Sequence, residues 1–231
     1  GGKVYGDFEQ GHGKARPNTA FEQNNLFARL AAELAPDWEA QVRVLGYDAP
    51  ETETPGAESD GINNQSKKAE RNVGGDVSLT GRVGDHRLLA LVYNAQEEYE
   101  YTDQPPNAAE FVSNTRDIRF TGVQLQDSWA IGADYDLIVG LDYNRAESQT
   151  ASYNANGRRR GSNTPYFEQI QYGLFADLTS RWFEDRLIFN IGARHDEIES
   201  RVLATPMRPD LRPGSENFDT FNPRAGIVLR P

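Results

Sequence analysis

The sequence predicts an all-β chain, an antiparallel up-and-down meander of about ten long strands that forms part of a transmembrane β-barrel. Three observations carry that reading. Apolar and polar residues alternate over segment after segment, as in "YGLFADLTSRWFEDRLIFNIGARHDE" from Tyr172 to Glu197. The segments are joined by short turns at one end and long polar linkers at the other. They also run beyond the ~5–6 residues of a globular strand, far enough for the roughly 9–11 residues a tilted strand needs to cross hydrocarbon.

Taken in order, "KVYGDFEQ" is the first candidate strand and, with the last, "FNPRAGIVLR", the least marked. Leu26, Ala28, Leu30, Ala32 and Leu34 alternate with polar positions, "APD" turns the chain, and Trp38, Ala40, Val42 and Val44 resume the pattern. Val73, Val77, Leu79 and Val83 lead through "GDH" to a stripe read as Leu89, Leu91, Tyr93 and Ala95. Val123, Leu125, Trp129 and Ile131 lead through "GAD" to Leu137, Val139, Leu141 and Tyr143. The apolar phase shifts between Phe120 and Val123, so Gly122 is read as a β-bulge. From Ile170 the even positions are Ile, Tyr, Leu, Ala, Leu, Ser and Trp; after "FED", Leu187, Phe189, Ile191 and Ala193 share a face, with Ile188 the exception. A helix would scatter each set around its circumference.

Between hairpins lie "APETETPGAESDGINNQSKK", "DQPPNAAEF", "SQTASYNANGRRRGSNTP" and "LATPMRPDLRPGSENFDT". Short turns on one side and extended loops on the other are the asymmetry of an outer-membrane barrel, whose periplasmic turns are brief.

Composition narrows the function classes. Only 37% of residues are hydrophobic and mean hydropathy is -0.71, lean for a β-rich globule that must offset its ordering entropy with a core. Either much of the chain is loop or its apolar face meets something other than its own interior. With no cysteine there is no disulfide framework, thiolate metal site or cysteine nucleophile. The longest apolar run, "LLALVY", falls far short of the ~18 residues of a membrane helix, which excludes a helical membrane protein and leaves a barrel open. A net charge of -11 argues against a nucleic-acid partner. His12, His86 and His195 are scattered, and no "GxSxG", "HExxH" or phosphate-cradling glycine loop is present. The reading is therefore not an enzyme.

"FNPRAGIVLRP", "YGLFADLTSRWFEDRLIFNIGARHDE" and "GVQLQDSWAIGADYDLIVGLDYNRAESQT" together resemble the barrel of a TonB-dependent outer-membrane receptor, most of all the ferric-siderophore group, from about Asn72 onward. The resemblance implies a 22-stranded barrel with a plugged lumen, a ferric siderophore as ligand, TonB acting through the plug, and no cofactor. Residues 1–231 then read as a partial barrel domain, the plug and remaining strands being absent. Such a piece, with two unpaired edges and an apolar outer face, is expected not to stay soluble alone.

On that resemblance Arg158, Arg159 and Arg160 fall in an external loop. There they either attract an anionic ferric chelate, bind lipopolysaccharide phosphates, or remain solvated charges. Tyr99, Tyr101 and Tyr153 stand between ligand stacking and loop packing, and Tyr166 belongs to the same aromatic set. Trp38, Trp129 and Trp182 near the short turns, with Tyr93 and Tyr143, read as girdles at the lipid boundary. The acidic stretch Gln96–Tyr101 is read as rim polarity in preference to a metal site. Asp142 and Asp177 read as lining of a wet interior. Two other classes stay open: a passive porin-like or structural outer-membrane barrel, and a soluble all-β binding module whose apolar faces pack into a sandwich core.

Overall fold

The computed structural model describes residues 19–54, 66–105 and 109–230, with the backbone of three short strands ahead of them. Those three are β1 (Gly2–Gly6), β2 (Glu9–Gln10) and β3 (Lys14–Ala15). The long strands follow as β4 (Phe21–Ala35), β5 (Trp38–Glu53), β6 (Lys67–Val83), β7 (His86–Asp103), β8 (Phe111–Ile131) and β9 (Tyr135–Tyr153). After the two-residue β10 (Arg159–Arg160) come β11 (Phe167–Trp182), β12 (Leu187–Val202) and β13 (Gly214–Leu229). His12 and the central parts of two long linkers, 55–65 and 106–108, lie outside the described residues.

One sheet runs β1-β4-β5-β6-β7-β8-β9-β11-β12-β13, with β10 added to the end of β9 and β2 paired with β3 apart from it. Every neighbour along this path is antiparallel, so the ten-strand meander expected from alternation is the observed topology. Among the described residues the four tight turns lie at one end: Pro36–Asp37, Gly84–Asp85, 132–134 and 183–186. Asp37, Gly84 and Gly132 have φ of 66°, 60° and 66°, the left-handed backbone that tight hairpins demand. The long connections 54–66, 104–110, 154–166 and 203–213 share the other end.

The register shows why this sheet is a barrel wall. Trp38 opens β5 and pairs with Gly81, two residues short of the end of β6. His86 opens β7 and pairs with Trp129, two short of the end of β8. Tyr135 opens β9 and pairs with Ser180, two short of the end of β11. Each hairpin is thus displaced in the same direction by the same amount, the stagger that tilts strands in a closed barrel.

Directly opposed residues share a face, so the faces can be followed across the sheet. One row reads Leu30, Val42, Val77, Val92, Val123, Tyr143, Tyr172, and the next Ala32, Ala40, Leu79, Ala90, Leu125, Leu141, Leu174. These side chains do not converge on one another: Leu30 is 72% exposed, Leu174 62% and Val92 53%, and the only buried hydrophobic residues among those described are Ala49 and Ala151. Among the described residues there is no sandwich core and the wall has no dry interior of its own; burying such a face against hydrocarbon is worth ~1.5–3 kcal/mol for each large apolar side chain. On β9 the outer stripe from Tyr135 to Tyr143 rises ~27 Å along the strand, roughly 21 Å along the normal at a tilt near 40°, close to the apolar band of an outer-membrane barrel. Above it the same face turns ionic, with Arg145 and Arg201 both bonded to Glu168.

Two expectations are corrected. The outward stripe of β7 is Leu88, Ala90 and Val92, not Leu89, Leu91, Tyr93 and Ala95, because Val92 opposes Val77 and Val123 while Tyr93 opposes Gly122. "LLALVY" is apolar at both parities, so alternation could not choose a face there. Gly122 makes no bulge, since pairing continues unbroken through it on both sides. A Cβ at Gly122 would overlap the Tyr93 ring; the glycine is room for an aromatic, and the bulge of this pair falls at Tyr101/Thr102.

Candidate ligand-facing wall and external loops

The face opposite the apolar one is built from paired charges and amides. Low on the wall Arg181 bonds Asp136. At mid-height the Arg194 guanidinium donates two bonds to Asp142, at 2.8 and 2.9 Å, and more to Asp196, which also accepts from Gln171 at 2.9 Å. Phe175 lies under the same guanidinium, 5.9 Å from ring centre to Cζ. Arg224 reaches Asp177, and Tyr93 donates to Asn144 at 2.5 Å. Tyr93, Asp142, Asn144, Phe175, Asp177, Arg194 and Arg224 border a groove of ≈ 630 Å³. The carboxylates Asp142 and Asp196 are nearly covered, at 15% and 9%, and Arg194 compensates both. Further round, Arg43 holds Asp76 at 2.9 Å. Such fixed pairs line a wet interior without leaving a bare charge.

Tyr93 therefore leaves the girdle expected for it: its hydroxyl is on the polar face beside Asn144. Trp38, Trp129 and Trp182 lie on the apolar face near the short turns, and Tyr143 meets Tyr172 on that face with ring centres 5.2 Å apart. Sequence reading missed Tyr135, edge-on to Trp182 at 6.3 Å, and placed Tyr172 on this face without counting it in the girdle. It also placed His86 in a turn, whereas His86 opens β7 and stacks on Trp129 at 5.1 Å.

At the long-loop end the structure divides the candidate ligand residues. Arg160 opposes Ser152, Ser152 opposes Asn114 and Asn114 opposes Tyr101. Arg160 and Tyr101 therefore end one row of the polar face, three strand steps or roughly 14 Å apart. Ser152 and Asn114 between them share a 2.7 Å hydrogen bond. Tyr99 is on the same face with the Arg116 guanidinium 5.6 Å above its ring. Tyr153 and Arg159 oppose each other on the outer face, where Arg159 donates to the Tyr166 hydroxyl at 2.6 Å. Arg158 sits at the turn, its backbone N–H donating to Asn156 at 3.1 Å. All three arginines are exposed, and none makes an ion pair among the described residues. Of the acidic stretch, Gln96, Glu98 and Glu100 take one face and Glu97, Tyr99 and Tyr101 the other. Among the described residues no three metal-ligating side chains converge.

The arginine loop is not a free strand of chain. Arg208, from the 203–213 connection, donates to the Ser162 carbonyl, and Tyr166 N–H donates to the Thr205 hydroxyl at 2.9 Å. Leu203 N–H donates back to the Tyr166 carbonyl at 2.8 Å. Arg208 is itself held by Asp210 at 2.8 Å, and that bond keeps the Asp210 carboxyl below the usual carboxylate range. The connections 154–166 and 203–213 thus form one platform beneath the arginine tip, a tertiary contact with no signature in either loop alone.

Solved structures of similar fold include the ferric citrate transporter FecA in its unliganded form (TM-score 0.71, 12% identity, 93% of this chain and 34% of that one). The copper transporter OprC follows at TM-score 0.68, 17% identity, 95% and 36%. The ferric yersiniabactin uptake receptor FyuA from Yersinia pestis gives 0.62, 15%, 97% and 37%. The chain thus spans about a third of the length of these proteins. Among curated proteins none matches it in sequence. A family model of the TonB-dependent receptor-like β-barrel matches residues 2–231. With meander, stagger and two-faced wall in agreement, the chain belongs to the TonB-dependent receptor β-barrel family, whose members are outer-membrane receptors and transporters and not enzymes.

Proposed function

We propose that this chain is part of the barrel of an energised outer-membrane importer of ferric siderophores, with a plug and further strands supplied by the rest of the receptor. The observation that carries the reading is the arginine tip, Arg158–Arg160, set on a braced platform at the external end of a protein of net charge -11. An acidic protein repels anions at long range, so a local cationic tip concentrates them where capture is wanted. Guanidinium groups bond the carboxylate or catecholate oxygens of an anionic chelate in pairs. Tyr101 and Tyr99, on the polar face below Arg160, offer ring faces to the ligand as it passes inward, and Tyr153 supports the tip through Arg159. Lipid contacts the apolar face, and Arg159 on the outer face reaches toward lipopolysaccharide phosphates. The wall performs no bond chemistry; TonB, acting through the plug, opens the way.

The test is uptake by cells carrying the complete receptor as their only ferric importer, using labelled iron in anionic and neutral chelates, and copper, with and without TonB. The expected result is TonB-dependent uptake of an anionic ferric chelate. Replacing Arg158, Arg159 and Arg160 together with Gln should weaken its binding about tenfold, near 1.4 kcal/mol. Uptake that ignores TonB would establish a passive barrel, and copper uptake alone would remove the siderophore assignment.

A further inference from the structure

At the external end of β11, β12 and β13 lies a cavity of ≈ 420 Å³ bordered by Phe167, Ser200, Val202, Arg212, Glu216 and Phe218. Phe167 opposes Val202, Val202 opposes Gly214, and Phe218 opposes Ile198 two rows lower. Val202, Ser200 and Ile198 share the parity of Asp196 on β12, so the cavity opens on the polar face. Val202 is the last residue of β12, which begins after its turn at Leu187. That length is ~50 Å along the strand and roughly 38 Å along the normal at a tilt near 40°, which sets the cavity above the ~25 Å apolar band.

Exposed aromatic surface is out of place on a face otherwise built from ion pairs and amides, and Phe218 is 50% exposed. Gly214 leaves the floor beside Val202 open, since a Cβ there would meet nothing within 4 Å. A void of ~150 Å³ already admits benzene, so this cavity has room for a substituted ring. Between the rows of the two phenylalanines stands the pair Ser200 and Glu216. The exposed Glu216 carboxylate repels a chelate made of carboxylates, but it accepts a bond from an amide N–H or a phenol. Arg212, two residues ahead of β13, is exposed and makes no ion pair among the described residues. Its guanidinium offers donors to a carbonyl or phenolate oxygen and a flat face to a ring. Arg212 belongs to the 203–213 connection that Arg208 ties to the Ser162 carbonyl, so the platform under the arginine tip also positions this cavity's cation.

We propose that this cavity takes an aromatic ring of the imported solute, so that the substrate class is a ferric chelate with aryl arms of the catecholamide kind and not an aliphatic hydroxy-carboxylate. The inference deepens the import reading and rests on it. Phe167 and Phe218 give the ring its apolar contact, Arg212 meets its oxygens, and Glu216 accepts from the amide that joins the ring to the rest of the chelate. A carboxylate-rich chelate gains nothing from the rings and is repelled by Glu216.

The complete receptor, in outer membranes from cells without TonB, is given labelled iron as a tris-catecholamide, a tris-hydroxamate or citrate, and equilibrium binding is measured. The wild type should bind the tris-catecholamide about tenfold more tightly than either aliphatic chelate. Gly214→Leu, which fills open space and removes no contact, and Phe218→Ala should each erase that margin, with heat-dependent gel mobility confirming that both variants form barrels. Equal or tighter binding of an aliphatic chelate by the wild type overturns the proposal, as does a margin that survives both variants. A Phe218→Ala receptor that keeps the margin but unfolds at lower urea would assign the cavity to packing against another loop of the receptor, which also overturns it. Uptake is measured separately in cells with TonB. Import of ferric citrate in preference to the aryl chelate leaves the import reading standing and removes this one; aryl-chelate binding without TonB-dependent uptake does the reverse.

Discussion

Leu125 and Gln124 are chain neighbours on opposite faces, and placing arginine at each in turn gives a direct test of the wall. Leu125 opposes Ala90 and Leu141 on the apolar face, while Gln124 opposes Leu91 and Asp142 on the polar one. Leu125 lies six residues inside the turn end of β8 at Ile131. That is ~20 Å along the strand and roughly 15 Å along the membrane normal at a tilt near 40°, about the middle of the hydrocarbon. An arginine facing lipid at that depth costs ~2–4 kcal/mol, and one facing a wet lumen costs little. Asp142, opposite Gln124, would even offer it a carboxylate.

The assay is the urea midpoint of the complete receptor refolded into lipid vesicles, beside its abundance in outer membranes. Leu125→Arg should lose the full ~2–4 kcal/mol and much of its abundance, and Gln124→Arg should stay within ~0.5 kcal/mol of the wild type. Equal losses would mean that the two faces do not differ in what they touch. A larger loss for Gln124→Arg would mean that the apolar and polar sides had been assigned in reverse.

Gly122→Val should cost ~1–3 kcal/mol by driving the Tyr93 ring from its place and breaking its bond to Asn144; in a Tyr93→Ser background, measured in the same refolding assay, most of that cost should vanish, and a cost that persists would mean the glycine serves its backbone alone. The Arg208–Asp210 brace should be pH-dependent. Hydrogen bonding to Arg208 lowers the Asp210 pKa, so the contribution is complete above the ordinary carboxylate value and is lost as pH falls through the lowered one. Amide-exchange protection of Leu203 and Tyr166, corrected for intrinsic rates, should fall across that acidic window, and Asp210→Asn should reproduce the loss at pH 7; protection indifferent to both would show that the loops are held by Thr205 and Tyr166 without the brace.

How far the fold could be read from sequence depended on how much each strand told its two parities apart. β4, β5, β9 and β11 place leucine or valine against glutamate, arginine, aspartate or glutamine, and their faces follow from the letters. In β7 the run from Leu88 to Tyr93 is apolar at every position, and only the partners Val77 and Val123 fix which half turns outward. Tyr93 was misplaced for that reason, although Gly122 opposite it, a site with no side chain beside a large ring, was a readable signal. Arg194 is another case. Its bond to Asp142 joins residues two strands apart, and neither position is unusual alone. The arginine tip was visible as "GRRRG", but its division between faces follows from the short pairing of β10 with β9, and the platform beneath it depends on Arg208 from a different loop.

The lean composition is a consequence of this architecture. A strand that crosses lipid needs apolar residues at one parity only, and only within the band; β9 uses Leu137, Val139 and Leu141 between Tyr135 and Tyr143, then continues for ten further residues with Arg145 and Glu147 on the same face. The other parity carries Asp136, Asp142 and Asn144, with Ile138 and Gly140 between the two aspartates. A globule of equal length would need both a core and its cover, and 37% hydrophobic residues would leave it short. Here the solvent of the membrane replaces the core, so the low hydropathy and the exposed leucines have one cause.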